Sequence, residues 1–114
     1  MREIKFRAWN KEENKMSEEF SFEDFDGSYF IPKAWYLRNM EVMQFTGLLD
    51  KNGKEIYESD VVREANGDIR EIVFEDGGFW LKTPNGERYI SSQGYREVLG
   101  NVFENKDLLT KGIE

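Results

Sequence analysis

Apolar residues recur at every second position in several short runs separated by glycine-bearing turn signals, a spacing that predicts a mostly β chain. Ile4, Phe6 and Ala8 alternate with Lys5, Arg7 and Trp9, so the first strand has one apolar and one mixed face and is expected to lie centrally. Phe20 and Phe22 alternate with Ser21 and Glu23 as a second strand, until Phe25 breaks the parity. Further strands are expected from Val42 to Thr46, from Asp60 through Arg63, from Ile69 to Phe74, from Phe79 to Lys82, from Arg88 to Ile90 and from Glu97 to Phe103.

The punctuation agrees with this pattern. Asp26-Gly27, Asn52-Gly53, Asn66-Gly67, Gly77-Gly78 and Asn85-Gly86 supply the positive φ that tight hairpin turns require. The hairpin around Asp76-Gly77-Gly78 is the clearest. Ile72 and Phe74 share a parity that Ile69 does not, which predicts a bulge near Arg70-Glu71 if Ile69 is also buried. Gly100 marks a bend or bulge in the last strand. Two short departures from β are expected: a helix over residues 33–40 behind Pro32, and a final turn carrying Leu108 and Leu109 with Asn105 as its cap.

Charge sharpens this picture because it is unevenly spread. The 114 residues carry 16 Lys plus Arg against 23 Asp plus Glu, a formal net charge of −7. Between Glu12 and Asp26, seven acids face the single base Lys15, so this stretch holds −6 of the total. It reads as a solvated loop or strand edge whose charge discourages edge pairing. The remainder is nearly neutral and free to present a local basic face, so nucleic-acid binding is lowered in rank and kept. No apolar run approaches the roughly 20 residues of a spanning helix, and Met1-Arg2-Glu3-Ile4-Lys5 is too charged to open a signal peptide. A cytoplasmic protein with no membrane partner is expected.

Composition also removes chemistry. With no Cys and no His there is no disulfide, thiolate nucleophile, imidazole base or usual zinc site. No glycine pattern forms a phosphate-binding loop. Glu75-Asp76, or Glu58 with Asp60, offer paired carboxylates for a carboxylate-based hydrolase, although acids beside turns ordinarily serve turn geometry. Asp24-Phe25-Asp26-Gly27 is part of a calcium-loop pattern whose downstream Glu is missing. Asp50-Lys51-Asn52-Gly53-Lys54 places two amines at a hairpin tip, where solubility and turn formation explain them equally well. No catalytic residue, metal or cofactor is therefore expected.

Two binding surfaces remain. Residues 20 to 36 contain Phe20, Phe22, Phe25, Tyr29, Phe30, Trp35 and Tyr36, which either complete the core, the first reading, or in part form an intermolecular surface; Phe22, Phe25, Tyr29 and Trp35 are the candidate partner-binding set, since aromatics are enriched at interfaces. Arg70, Trp80, Lys82 and Arg88 form the alternative, a basic and aromatic set suited to stacking on single-stranded nucleic acid; Arg63, Arg96, Tyr89 and Tyr95 accompany them. Seven acids lie among these bases, so mutual charge pairing competes with that use.

Three ordered stretches resemble one family: Met1-Arg2-Glu3-Ile4-Lys5-Phe6-Arg7-Ala8-Trp9, the middle block from Val42-Met43-Gln44-Phe45-Thr46-Gly47-Leu48 through Asp50-Lys51-Asn52-Gly53-Lys54-Glu55-Ile56-Tyr57-Glu58, and Val98-Leu99-Gly100-Asn101-Val102-Phe103-Glu104-Asn105. The chain resembles the YopX-like proteins of bacteriophages and prophages. That resemblance implies a mostly β protein with an N-terminal β arm and a C-terminal region similar to a small SH3-like barrel, in a bacterial cytoplasm, and it carries over no catalytic residue. Ser59 stands where the family usually has Gly, Asn10 where Asp is frequent and Phe45 where Tyr is frequent. The expected organisation is an arm over residues 1–45 and a barrel over residues 46–114, forming one unit. The expected function is a non-enzymatic accessory protein, a homo-oligomer that binds a phage or host protein, with nucleic-acid binding second and hydrolysis third.

Overall fold

The computed structural model describes residues 3–21, 40–90 and 95–109, and the protein is mostly β. Among the described residues nine strands follow one another: β1 (Phe6–Asn10), β2 (Lys15–Met16), β3 (Met40–Leu49), β4 (Glu55–Tyr57), β5 (Asp60–Glu64), β6 (Ile69–Glu75), β7 (Gly78–Thr83), β8 (Gly86–Tyr89) and β9 (Arg96–Asn101). The chain divides into two compact units, Met1–Phe45 and Thr46–Glu114. The expected helix over residues 33–40 lies outside the described residues except for Met40, which opens β3.

In the first unit β1 lies between β2 and β3, antiparallel to both, which is the central place its alternation predicted. The Asn10 side chain turns β1 into β2 by accepting the backbone N–H groups of Glu12 and Glu13. Ala8, Trp9, Met43 and Phe45 are buried. Trp9 thus departs from the expected mixed face, and Ile4 precedes the strand and is half-exposed. Of the expected second strand, Phe20 makes an isolated antiparallel bridge to Phe6, with both backbone N–H groups engaged at 2.8 Å and the rings stacked at 5.9 Å.

In the second unit five antiparallel strands form a curled sheet in the order β8-β7-β6-β5-β9. Its inner face carries the core: Val62, Ile72, Phe79, Leu81 and Ile90 with Ile56, packed against Leu48 and Val98. Alternation explains the choice, since Ile72 pairs with Leu81 and Val62 with Val98 across strands. Asp76 and Gly77 both have positive φ, 50° and 77°, and form a two-residue hairpin loop, so Gly78 belongs to β7.

The last strand and the Asn105 cap need correction, and the bulge that burial of Ile69 would have required is not called for. The pairing of β6 with β5 is regular through Arg70 and Glu71, so there is no bulge there; Ile69 is only half-buried and needs none. The bulge expected at Gly100 is present in β9: Val61 faces Gly100 and Val62 faces Val98, leaving Leu99 as the extra residue beside the glycine. The last strand ends at Asn101 and does not reach Phe103. The Asn101 side chain accepts the N–H groups of Phe103 and Glu104 and turns the chain away. Asn105 does not cap forward: its Oδ1 accepts the Asn101 N–H at 3.2 Å, and its backbone carbonyl accepts the Leu108 N–H.

Buried polar side chains fix the turns of the middle block. Asp50 accepts N–H groups from Asn52, Lys54 and, across the fold, Val98, all within 2.9 Å. Thr46 donates its hydroxyl to the Ile56 carbonyl and accepts the Leu48 N–H. Asp60, 1% exposed, accepts the Tyr57 N–H. Ser59 has φ 73°, the left-handed backbone that Gly adopts without strain.

Candidate functional site

Strand parity divides the second unit's sheet into two chemically different faces. On the outer face Val73, Trp80 and Tyr89 lie in one cross-strand row and Glu71, Lys82 and Glu87 in the next. Trp80 and Tyr89 meet edge to face with centroids 5.3 Å apart, and the indole Nε1 donates to the Glu75 carbonyl at 2.8 Å, which holds the Trp80 ring in place. Tyr89 is 64% exposed, so much of the pair's aromatic surface faces solvent.

Carboxylates frame this pair. The Glu87 carboxyl is held above the ordinary glutamate range, first by a hydrogen bond with the Glu75 carboxyl, then by desolvation and the charges of Glu75 and Asp76. Lys82 opposes the shift. Burial likewise raises Glu71, with Lys82 again opposing. The face is therefore aromatic and net acidic: Glu71, Glu75, Asp76 and Glu87 against Lys82.

The opposite face carries guanidinium groups at one end of the core. Glu64 faces Arg96 across β5 and β9, forms an ion pair with Arg88 on β8, and lies 3.6 Å from Arg70 Nε. The Glu64–Arg88 pair joins β5 to β8, three strands away in the sheet order, as the curl of the sheet allows. Arg70 also binds Asp68 at 3.0 Å. Arg96 is 6% exposed, and burial pushes its guanidinium below the ordinary range, with Glu64 opposing and Arg88 adding to the shift. Three guanidiniums and two carboxylates form a charged layer over the core, with a surplus of one positive charge.

The residues singled out from sequence are distributed accordingly. Arg70 and Arg88 come together, joined by Arg96 and by Glu64, which sequence reasoning did not assign to a site. Trp80 and Lys82 lie on the other face, so the four nucleic-acid candidates do not form one patch. Arg63 pairs with Glu97. Phe22, Phe25, Tyr29 and Trp35 lie outside the described residues, as does Asp24-Phe25-Asp26-Gly27. Of the carboxylate pairs, Asp60 serves a buried turn, and Glu75 and Asp76 border the outer aromatic face. Lys51 at the hairpin tip lies 5.0 Å over the Tyr95 ring and 3.8 Å from Glu97. Among the described residues no group of three or more His, Cys, Asp or Glu is placed to hold a metal, and no helix is long and apolar enough to cross a membrane.

Glu75, Glu87 and Tyr89 were legible as partners of Trp80 only through register. A two-residue loop at Asp76-Gly77 and another at Pro84-Asn85 bring Val73, Trp80 and Tyr89 into one row. Adjacent Arg88 and Tyr89 must then point to opposite faces.

The fold recurs in solved structures. A crystal structure of protein EF1440 from Enterococcus faecalis superposes with a TM-score of 0.67 at 21% identity, covering 96% of this chain and 99% of that one. Protein yopX from Bacillus subtilis superposes with a TM-score of 0.55 at 19% identity, covering 92% and 97%. At these identities the likeness is one of fold. No curated protein matches the chain. The YopX protein family model matches residues 5–110, almost the whole length, and the chain belongs to that family.

Proposed function

We propose that this is a non-enzymatic accessory protein of a phage or prophage that works in the bacterial cytoplasm by binding other proteins, with the second unit an SH3-like barrel that presents the contact surface. The observation that carries this reading is the outer face of β6, β7 and β8. There an indole fixed by its own hydrogen bond and a tyrosine 64% exposed form an aromatic pair of the kind that anchors interfaces. The aromatic and acidic segment of residues 20–36 adds a second contact surface by composition, and self-association into a homo-oligomer uses either one.

The test is affinity capture. Wild-type protein and a Trp80→Ala/Tyr89→Ser variant are immobilised, exposed to bacterial lysate with and without nuclease, and the retained proteins are compared. Specific proteins retained by the wild type in both conditions and lost from the variant are the expected result. Equal retention by both proteins contradicts the assignment of the contact to this face.

The second reading, nucleic-acid binding, is favoured by the guanidinium layer of Arg70, Arg88 and Arg96. It requires retention that disappears with nuclease and with rising salt, and that falls on Arg70→Ala or Arg88→Ala. A hydrolytic use of Glu75 or Asp76 has no comparable support, because both acids border an open aromatic surface.

A further inference from the structure

The β8 strand is the edge of its sheet. It pairs with β7 on one side, and among the described residues no strand pairs with its other side. All four of its residues are exposed. The Ile90 N–H points inward to the Phe79 carbonyl at 3.3 Å. By the alternation of an antiparallel ladder, Gly86 and Arg88 direct their backbone groups towards β7, whereas Glu87 and Tyr89 direct theirs to the open edge.

The same two residues carry their side chains to the outer face, beside Trp80 and Lys82. A strand added at this edge would therefore hydrogen-bond to Glu87 and Tyr89 and set alternate side chains against a carboxylate and an aromatic pair. Gly78 borders that pair: a Cβ there would be in ordinary van der Waals contact with the Tyr89 ring at 3.6 Å and the Trp80 indole nitrogen at 3.7 Å.

We propose that the β8 edge binds an extended, lysine- or arginine-bearing segment of a partner protein, which adds as a strand beside Gly86–Tyr89 and places cationic side chains against Glu87 and the Trp80–Tyr89 pair. This inference rests on the protein-contact reading above and names the chemistry of its partner. Charge complementarity selects the occupant. The face sets Glu75, Asp76 and Glu87 against Lys82, and a cation placed there offsets the repulsion of the Glu75 and Asp76 charges on Glu87. The exposed rings accept an ammonium or guanidinium through their electron-rich faces. Main-chain hydrogen bonds along an edge strand supply affinity, and alternate side-chain positions supply specificity. Such an edge otherwise invites uncontrolled pairing, which the charges of Glu87 and Arg88 restrain.

The test is fluorescence anisotropy with labelled ten-residue peptides of alternating Lys and Val, the same peptide with Glu for Lys, and the lysine peptide with alternate backbone nitrogens methylated. The lysine peptide is expected to bind at least tenfold more tightly than either of the others. Glu87→Gln and Tyr89→Ser are expected to weaken it at least fivefold; both positions are exposed, and circular dichroism verifies folding. Equal binding of the lysine and glutamate peptides, no binding of either, or affinities unchanged in both variants overturns the proposal. Light scattering separates the remaining occupant: if the protein dimerises and Tyr89→Ser alone makes it monomeric, a second copy fills the edge and the basic-segment proposal falls. Lysate capture that depends on Trp80 and Tyr89, together with failure of the lysine peptide, leaves the contact reading standing and removes only the basic partner.

Discussion

Replacing Asp50 with alanine is expected to cost about 3 kcal/mol of stability, the order expected when a buried carboxylate that accepts several hydrogen bonds is removed. Asp50 is 8% exposed and receives the N–H groups of Asn52 and Lys54 in its own turn and of Val98 on β9. Alanine leaves three backbone donors without their acceptor and removes the side-chain tie from the hairpin tip to Val98, leaving the Lys51 N–H to Arg96 carbonyl bond to hold the tip to the last strand. For a chain of this size such a loss lowers the melting temperature by roughly 10 °C. Thermal unfolding followed by circular dichroism measures it.

The same side chain gives stability a pH dependence of known sign. Burial alone would raise the Asp50 carboxyl, but the backbone N–H groups of Val98, Lys54 and Asn52, with the charge of Lys54, more than offset it and hold the group below its usual 3.8. A carboxylate depressed in the folded state contributes stability that is fully present above its unfolded value and disappears as pH falls through the folded value. The stability gap between the wild type and Asp50→Asn is therefore expected to be widest at neutral pH and to narrow below pH 3.8. A gap independent of pH would show that the turn is held by shape rather than by charge.

Gly100→Ala is expected to cost about 2 kcal/mol, through displacement of a hydrogen-bonded side chain. Gly100 does not have positive φ, so its requirement is one of space. A Cβ there would overlap Asn105 Oδ1 and lie 2.7 Å from Asn105 Cγ and 3.1 Å from a Leu108 methyl. Asn105 cannot retreat without giving up the Asn101 N–H, which anchors the turn after β9. Urea unfolding of Gly100→Ala, Asn105→Ala and the double variant tests this through a double-mutant cycle. If the overlap is the cause, the alanine at residue 100 costs at least 1 kcal/mol less once Asn105 has been shortened. Additive losses would locate the cost elsewhere.

These positions show what a single chain discloses and what it withholds. The alternation of Ile72 and Phe74 and the Asp76-Gly77 turn disclosed the central hairpin because both signals are local. The central position of β1 followed from its run of alternating residues. The clamp from Asp50 to Val98 spans 48 residues and leaves no local trace, so Asp50 looked like a turn former alone. The bulge at Gly100 was legible from the glycine itself, although the extra residue, Leu99, is defined only against Val61 and Val62; the one near Arg70-Glu71 was tied to burial of Ile69, which is only half-buried. Grouping Arg70, Trp80, Lys82 and Arg88 by composition joined residues that register places on opposite faces. The acidic aromatic surface became visible once the rows through Trp80 were aligned, since Glu75 and Glu87 come from different strands.

The most direct measurement is amide chemical-shift mapping of the 15N-labelled protein during titration with the alternating lysine peptide. The expected result is a saturable set of shifts concentrated on Gly86–Tyr89 and on Gly78 to Trp80, with the Trp80 indole N–H moving in step. Shifts concentrated instead on Arg70, Arg88 and Arg96, or scattered without saturation, would contradict the assignment of the outer face as the working surface.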